Sequence, residues 1–283
     1  MRRIFSILLL SVLLLSFICV TSSLKAQEVK GIYEKHLTVK RKPVPFQYVR
    51  ESDVVWSKVI WRRLDLTQKR NLPLYYPTVD MEDRKSLMQT IMWGIKNKSL
   101  TPFSTDEFTT QYTLNDIDER FGAGNDTTFD SDPETGELIP IITKNDANMG
   151  EVKEMLIKEM WFFDKQRSVM EGRIIGMCPI RVYHRDDDVE QLDTKYTILF
   201  WIYYPEARNI FASQAVYTPQ NQSQEISFDD YLVQRRFEGY VFKESNVYDN
   251  RSIEEYTSGL DALLESEKIK DEIFSFEHDL WEF

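Results

Sequence analysis

Beyond an apolar leader at its start, this chain holds one cysteine, Cys178. A single thiol cannot close an internal disulfide, so the fold must be held by an ordinary apolar core rather than by covalent staples. The material for such a core is present. Hydrophobic residues make up 42% of the chain and aromatics 13%, too many for a disordered polymer. Ten glycines and ten prolines exclude a collagen-like or low-complexity class. Cys178 lies between Met177 and Pro179 in an apolar run, which predicts a buried structural thiol. A nucleophilic role would need a histidine beside it, and His184 is the nearest in sequence.

The leader opens with the basic Met1-Arg2-Arg3 and continues as an apolar run from Ile4 to Val20, interrupted by Ser6, Ser11 and Ser16. That run is short of the ~20 residues a spanning helix needs. Ser22-Ser23-Leu24-Lys25-Ala26 follows, so residues 1–26 read as a secretory signal peptide cut after Ala26. Two alternatives are an uncleaved anchor and a lipoprotein signal ending at Cys19; the second wants a small residue where Ile18 stands. No other segment approaches a membrane span, so the exported chain is expected to be soluble. Its 46 acids outnumber 35 bases for a net charge of -11. Without the leader, which carries Arg2, Arg3 and Lys25 and no acid, the imbalance grows to -14. Such a charge argues against nucleic acid and against anionic membrane surfaces as partners.

The remaining chain reads as α+β: a small antiparallel sheet flanked by several amphipathic helices. Residues 27–47, with Pro43 and Pro45, read as an extended N-terminal arm that could take its order from a partner. Trp56, Ile60 and Leu64 recur every four residues and predict a helix from Arg50 to Leu66. Pro73 to Pro77 reads as extended. A second helix is predicted over 81–97 with Asp80 as its cap, and one or two helical turns within 105–121. Residues 122–150 are rich in turn formers and read as a hairpin excursion, a candidate internal division of the 48–283 domain. Glu151 to Phe163 reads as a third helix. Alternation then predicts a strand from Arg173 to Tyr183 with Ile174, Gly176, Cys178, Ile180 and Val182 on one face. Pro179 marks that strand as an edge or a bulge. Tyr196 to Tyr204 reads as a strand covered on both faces. A helical turn and a short strand (214–217) follow, then a helix over 228–237 capped by Ser227 and a strand at 239–242. Residues 259–281 read as a closing helix with Ile269, Ile273, Phe276 and Leu280 on its buried stripe.

No constellation of catalytic residues stands out. His36, His184 and His278 lack the spacing of a helical metal site. Asp130 to Gly136 fails the register of a calcium loop, and Asp186-Asp187-Asp188 reads as a solvated turn. Nucleophile-elbow and phosphate-loop signatures are missing. No metal, cofactor or catalytic residue is therefore assigned. Six Trp, 14 Tyr and 17 Phe exceed what a modest core must hold, and such residues anchor interfaces. Leu280, Trp281 and Phe283 carry apolar surface to the end of the sequence and are the candidate partner-binding residues.

Four strings identify a resemblance. Arg50-Glu51-Ser52-Asp53-Val54-Val55-Trp56-Ser57-Lys58 with Ile60-Trp61-Arg62 resembles the opening signature of the gliding-motility family GldN, also called PorN. Pro73-Leu74-Tyr75-Tyr76-Pro77, Lys243-Glu244-Ser245-Asn246-Val247-Tyr248-Asp249 and Glu277-His278-Asp279-Leu280-Trp281-Glu282-Phe283 are similar to it as well. The resemblance covers about residues 40–283. It implies a non-enzymatic structural subunit of the type IX secretion and gliding machinery. It further implies a periplasmic place, association with an outer-membrane lipoprotein (GldK/PorK), self-association in a large ring and contact with other secretion subunits. It brings no catalytic residues. A periplasmic glycan- or peptide-binding module and a carboxylate hydrolase are the alternative readings.

Overall fold

The computed structural model describes residues 41–81, 84–131, 138–145, 147–184, 193–218 and 225–279. Residues 41–50 form neither helix nor strand, and a 3-10 turn at Glu51–Asp53 leads into strand β1 (Val54–Asp65). The helix expected over 50–66 is therefore a strand. Trp56, Ile60 and Leu64 sit four residues apart, a spacing that fits a strand's period of two as well as a helix. The β-branched Val54, Val55, Val59 and Ile60 favour the strand. One helical turn, α1 (Leu72–Tyr75), stands where an extended segment was expected. Helix α2 (Leu87–Lys96) starts later than the sequence suggested. Ser86 and Gln89 form a capping box there, while Asp80 accepts from the Gln89 side chain at 3.0 Å instead of capping the helix itself.

Strand β2 (Pro102–Phe103) and helix α3 (Leu114–Arg120), capped by Thr113, precede the expected hairpin. It comprises β3 (Gly124–Ser131) and β4 (Leu138–Asn145), paired from Gly124↔Asn145 to Ser131↔Leu138. The third predicted helix is again a strand, β5 (Val152–Asp164). It is buried on both faces, so the alternation that would have marked it is lost and its apolar residues fall by chance at helical spacing. Strand β6 (Val169–His184) runs where alternation placed it, but a register shift near Ile175 breaks the expected single face. Ile174 and Met177 join one core, and Cys178, Ile180 and Val182 another.

The expected strand over 196–204 divides into β7 (Thr194–Ile198) and β8 (Trp201–Tyr203), both paired to β6. Pro179, which has no N–H to give, falls at the break between them, where its carbonyl accepts from Leu199. There follow α4 (Tyr204–Ala212), β9 (Ala215–Val216), β10 (Ile226–Ser227), α5 (Phe228–Val233), β11 (Tyr240–Glu244) and α6 (Leu260–Asp279). Ser227 caps α5 as expected, its hydroxyl accepting from the Asp230 N–H.

The main sheet has the antiparallel order β11-β1-β5-β6-β8-β2, with β7 also on β6. One face carries Leu64, Met155, Ile157 and Met177 into the main core, where Ile91 of α2, Phe211 of α4 and Phe228 of α5 pack. On the same face, Ile60 and Val241 meet Ile269 and Ile273 of α6. The opposite face holds a smaller cluster of Trp61, Leu156, Cys178, Ile180, Val182 and Trp201, covered by Phe103 and Phe108. The α+β class is thus correct, with longer central strands than the sequence suggested. Residues 37–283 form one compact unit, and the preceding residues, leader included, lie outside the described part.

Candidate interaction surfaces

Leu280, Trp281 and Phe283 lie outside the described residues. The structure does show what leads to them. Helix α6 buries Ile269 and Ile273, and Phe276 stacks on Trp56 of β1 with ring centroids 4.9 Å apart. Cys178 is fully buried, and burial pushes its thiol up far from the reactive range. His36 and Asp186 to Asp188 are outside the described residues, as is most of the 130–136 turn. Among the described residues no three of His, Cys, Asp or Glu gather where they could hold a metal.

The carboxylates with shifted acidity are held low by partners. Hydrogen bonds from Arg167, and from the Gln166 backbone, lower Asp164. Burial would raise Glu171, but hydrogen bonds from Arg173 and Arg167 outweigh it. Backbone and hydroxyl hydrogen bonds at helix starts lower Asp116 and Glu255. These are structural pairings. A general acid would need the opposite shift.

What the molecule presents is surface. The first is built by residues 41–50. Arg41 donates to the Glu225 carbonyl and pairs with Asp230 at 3.1 Å. Arg208, buried on α4, forms a bidentate pair with Asp229 at 3.0 Å and donates to the Val44 carbonyl at 2.6 Å. Its guanidinium lies 3.8 Å from the Phe46 ring centroid. Tyr204 donates to the same Asp229. Arg173 donates to the Gln47 carbonyl and stacks on Phe46 and Phe162. The segment is therefore fastened to its own domain by charge-assisted hydrogen bonds and not left for a partner to order. Beside it an apolar groove of about 500 Å³ opens between Phe46 and Val49 on one side and Met160, Phe162 and Tyr203 on the other.

The second surface is the outer side of the C-terminal third. The stretch 245–252 is a loop tied together by its own side chains. Asn246 accepts from the Tyr248 N–H at 3.0 Å, and its own N–H donates to the Asn250 side chain at 3.0 Å. Asp249 and Asn250 take left-handed backbone angles (φ 55° and 54°), which these short polar residues tolerate. Arg251 stacks on Tyr248 and Tyr256, 4.6 Å from each ring centroid. The result holds Val247 and Tyr248 out in solvent. Nearby, Leu260, Leu263, Leu264 and Phe274 of α6 are each more than half exposed. Leu263 borders a cleft of about 400 Å³ walled by Tyr240, Phe242, Ile253 and Ala262.

The sequence analysis missed this second stripe. Its signal was legible as leucines at i, i+3 and i+4, but it competes with the buried stripe of the same helix. The contacts of Arg208 with Val44 and Phe46 carried no signal, because these partners are more than 150 residues away.

The fold is a helix-covered antiparallel sheet with apolar and aromatic patches on its surface. Comparison with known families gives the particular kind. The family described as "Gliding motility associated protein GldN" matches residues 49–282, and the chain belongs to this GldN family. It is thereby associated with gliding motility. No curated protein matches the chain.

Proposed function

We propose that this protein is a non-catalytic structural subunit of the type IX secretion and gliding machinery. It is exported to the periplasm, binds an outer-membrane lipoprotein of the GldK/PorK kind, and repeats with it in a ring that other secretion subunits contact. The observation that carries the reading is the GldN family match across residues 49–282. The exposed apolar stripe of α6 and the exposed Val247-Tyr248 tip support it, since exposed apolar patches on a folded chain mark sites of association.

A binding-module reading draws on one observation, the apolar groove beside Phe46. Such a groove fits an apolar peptide better than a polar glycan. Gentle detergent extraction followed by size separation distinguishes the two. An assembly subunit elutes in a megadalton-scale species together with a lipoprotein. A binding module elutes as a monomer that retains ligand, and that result would overturn the structural reading. Mass spectrometry of the native chain should find Gln27 at the N-terminus; an intact Met1 or an acylated Cys19 would remove the soluble periplasmic assignment.

A further inference from the structure

The 245–252 loop and the groove beside Phe46 are an apolar projection and an apolar recess on one chain. Val247 and Tyr248 stand at the tip of the loop, 90% and 62% exposed. The Asn246 N–H donates to the Asn250 side chain, the Tyr248 N–H donates to the Asn246 side chain, and Arg251 stacks on the Tyr248 ring. A tip held in this way has little freedom to lose when it docks. The groove measures about 500 Å³ and is lined by Phe46, Val49, Val54, Met160, Phe162 and Tyr203. A cavity of that size takes a drug-sized ligand, so it has room for one valine and one tyrosine side chain.

The charges beside the two features are complementary, and none of them is spent inside the chain. At the groove, the exposed Arg50 and Glu51 follow Val49 directly, and neither makes an ion pair among the described residues. At the tip, Asp249 is exposed and likewise without an ion pair among the described residues, and the exposed Arg251 touches only the rings of Tyr248 and Tyr256. A tip that enters the groove with its chain running opposite to residues 49–51 sets Asp249 against Arg50 and Arg251 against Glu51. The reverse orientation sets Asp249 against Glu51 and is disfavoured. A second copy of this chain therefore supplies the apolar tip, the acid and the base that the groove and its rim call for. Tip and groove are different patches, so the contact is head-to-tail; it repeats from copy to copy and closes into a ring where the rotation allows.

We propose that the Val247-Tyr248 tip of one copy docks in the Phe46 groove of the next. The contact joins copies within the ring of the preceding section and rests on that reading. Tyr248 is the apolar anchor, and the pairs Asp249 with Arg50 and Arg251 with Glu51 fix its orientation.

The test co-expresses two full-length variants, Val247→Cys and Glu51→Cys, with the lipoprotein and oxidises the assembly mildly. Both positions are exposed and Cys178 is buried, so the new thiols alone can react. Mixed dimers should form when both variants are present and not when either is expressed alone, which separates a contact between copies from one within a chain. In a second arm, Arg50→Glu and Asp249→Lys should each weaken self-association at least about tenfold, and the two together should restore it. Lys98 takes the same left-handed backbone angle in this chain (φ 55°), so a lysine at 249 is tolerated. Each substitution is on exposed surface and leaves the melting temperature within a few degrees. Absence of mixed dimers in copies that still assemble with the lipoprotein would overturn this contact and leave the ring reading intact. Copies that do not associate at all would overturn the ring reading and this contact together. Loss of lipoprotein capture in the charge variants, with self-association unchanged, would make the lipoprotein the occupant and overturn the choice made here.

Discussion

At the scale of single residues, the buried charges carry the sharpest expectations. Glu159 has no exposed surface. Arg235 reaches both its oxygens at 3.0 Å, Trp161 donates its indole N–H at 3.1 Å, and Arg62 lies 3.6 Å away. Glu159→Ala would leave the largely buried Arg62 and the partly exposed Arg235 without their shared counter-charge. It should cost about 3–5 kcal/mol, read as a shift in the urea midpoint. Arg235→Met should cost less, because the lone carboxylate keeps Arg62 and Trp161; equal costs would show that the cluster is not coupled as drawn. Acidity is a second residue-scale expectation. Asp164 and Glu171 have folded pKa values below their unfolded ones. Their stabilisation is therefore present above the unfolded carboxylate value, near 4, and is lost as pH falls through the folded values. The melting temperature should drop as pH falls below about 4, and Arg167→Gln should flatten that drop because it removes a hydrogen bond to both carboxylates.

At the scale of elements, the arm, β1 and β5 show what sets local structure. Residues 41–50 form no helix or strand of their own, and Phe46 lies between Arg208 and Arg173. Phe46→Ala should free residues 41–50 to limited proteolysis while the sheet and helices keep their melting temperature within a few degrees. Unchanged protease resistance would mean that the hydrogen bonds of Arg41, Arg173 and Arg208 hold the segment without the Phe46 ring. Strands β1 and β5 were the elements misread from sequence. In β1 a four-residue spacing was shared by both periods, and in β5 burial on both faces removed the alternation. Helices α2, α5 and α6 were legible from their apolar periodicity, and α5 also from its Ser227 cap; α2 is buried nearly all round and is capped by Ser86 where Asp80 was expected. The break of the 196–204 run into β7 and β8 was not legible, since it follows from where β6 presents Pro179.

At the scale of the whole molecule, the described part of α6 is held to the sheet ahead of the last four residues. Ile269 and Ile273 are buried and Phe276 rests on Trp56, so α6 is anchored before residue 280. A chain ending at residue 279 should keep its melting temperature to within about the shift of one exposed substitution. Under the proposed assembly it should fail to join rings, as judged by co-purification with the lipoprotein. A large loss of stability would instead place Leu280, Trp281 and Phe283 on their own domain. Full ring incorporation at unchanged stability would show that these residues serve neither purpose. Similarly, chelator and reductant should leave the protein folded, since Cys178 is buried and free. Unfolding by either one would contradict a core held by apolar packing alone.

The sequence by itself determined those properties that depend on composition and short spacing. Composition called for an apolar core, apolar periodicity marked α2 and α6, and long strings such as Arg50 to Lys58 carried the family. Tertiary structure alone decided the rest. It made strands of β1 and β5, because pairing with neighbours on both sides outweighs weak local preference. It joined Arg208 to Val44 and Asp229, and Glu159 to Arg235. It also turned the leucines of α6 outward, because one helix cannot bury both of its faces against a sheet that lies on only one side of it.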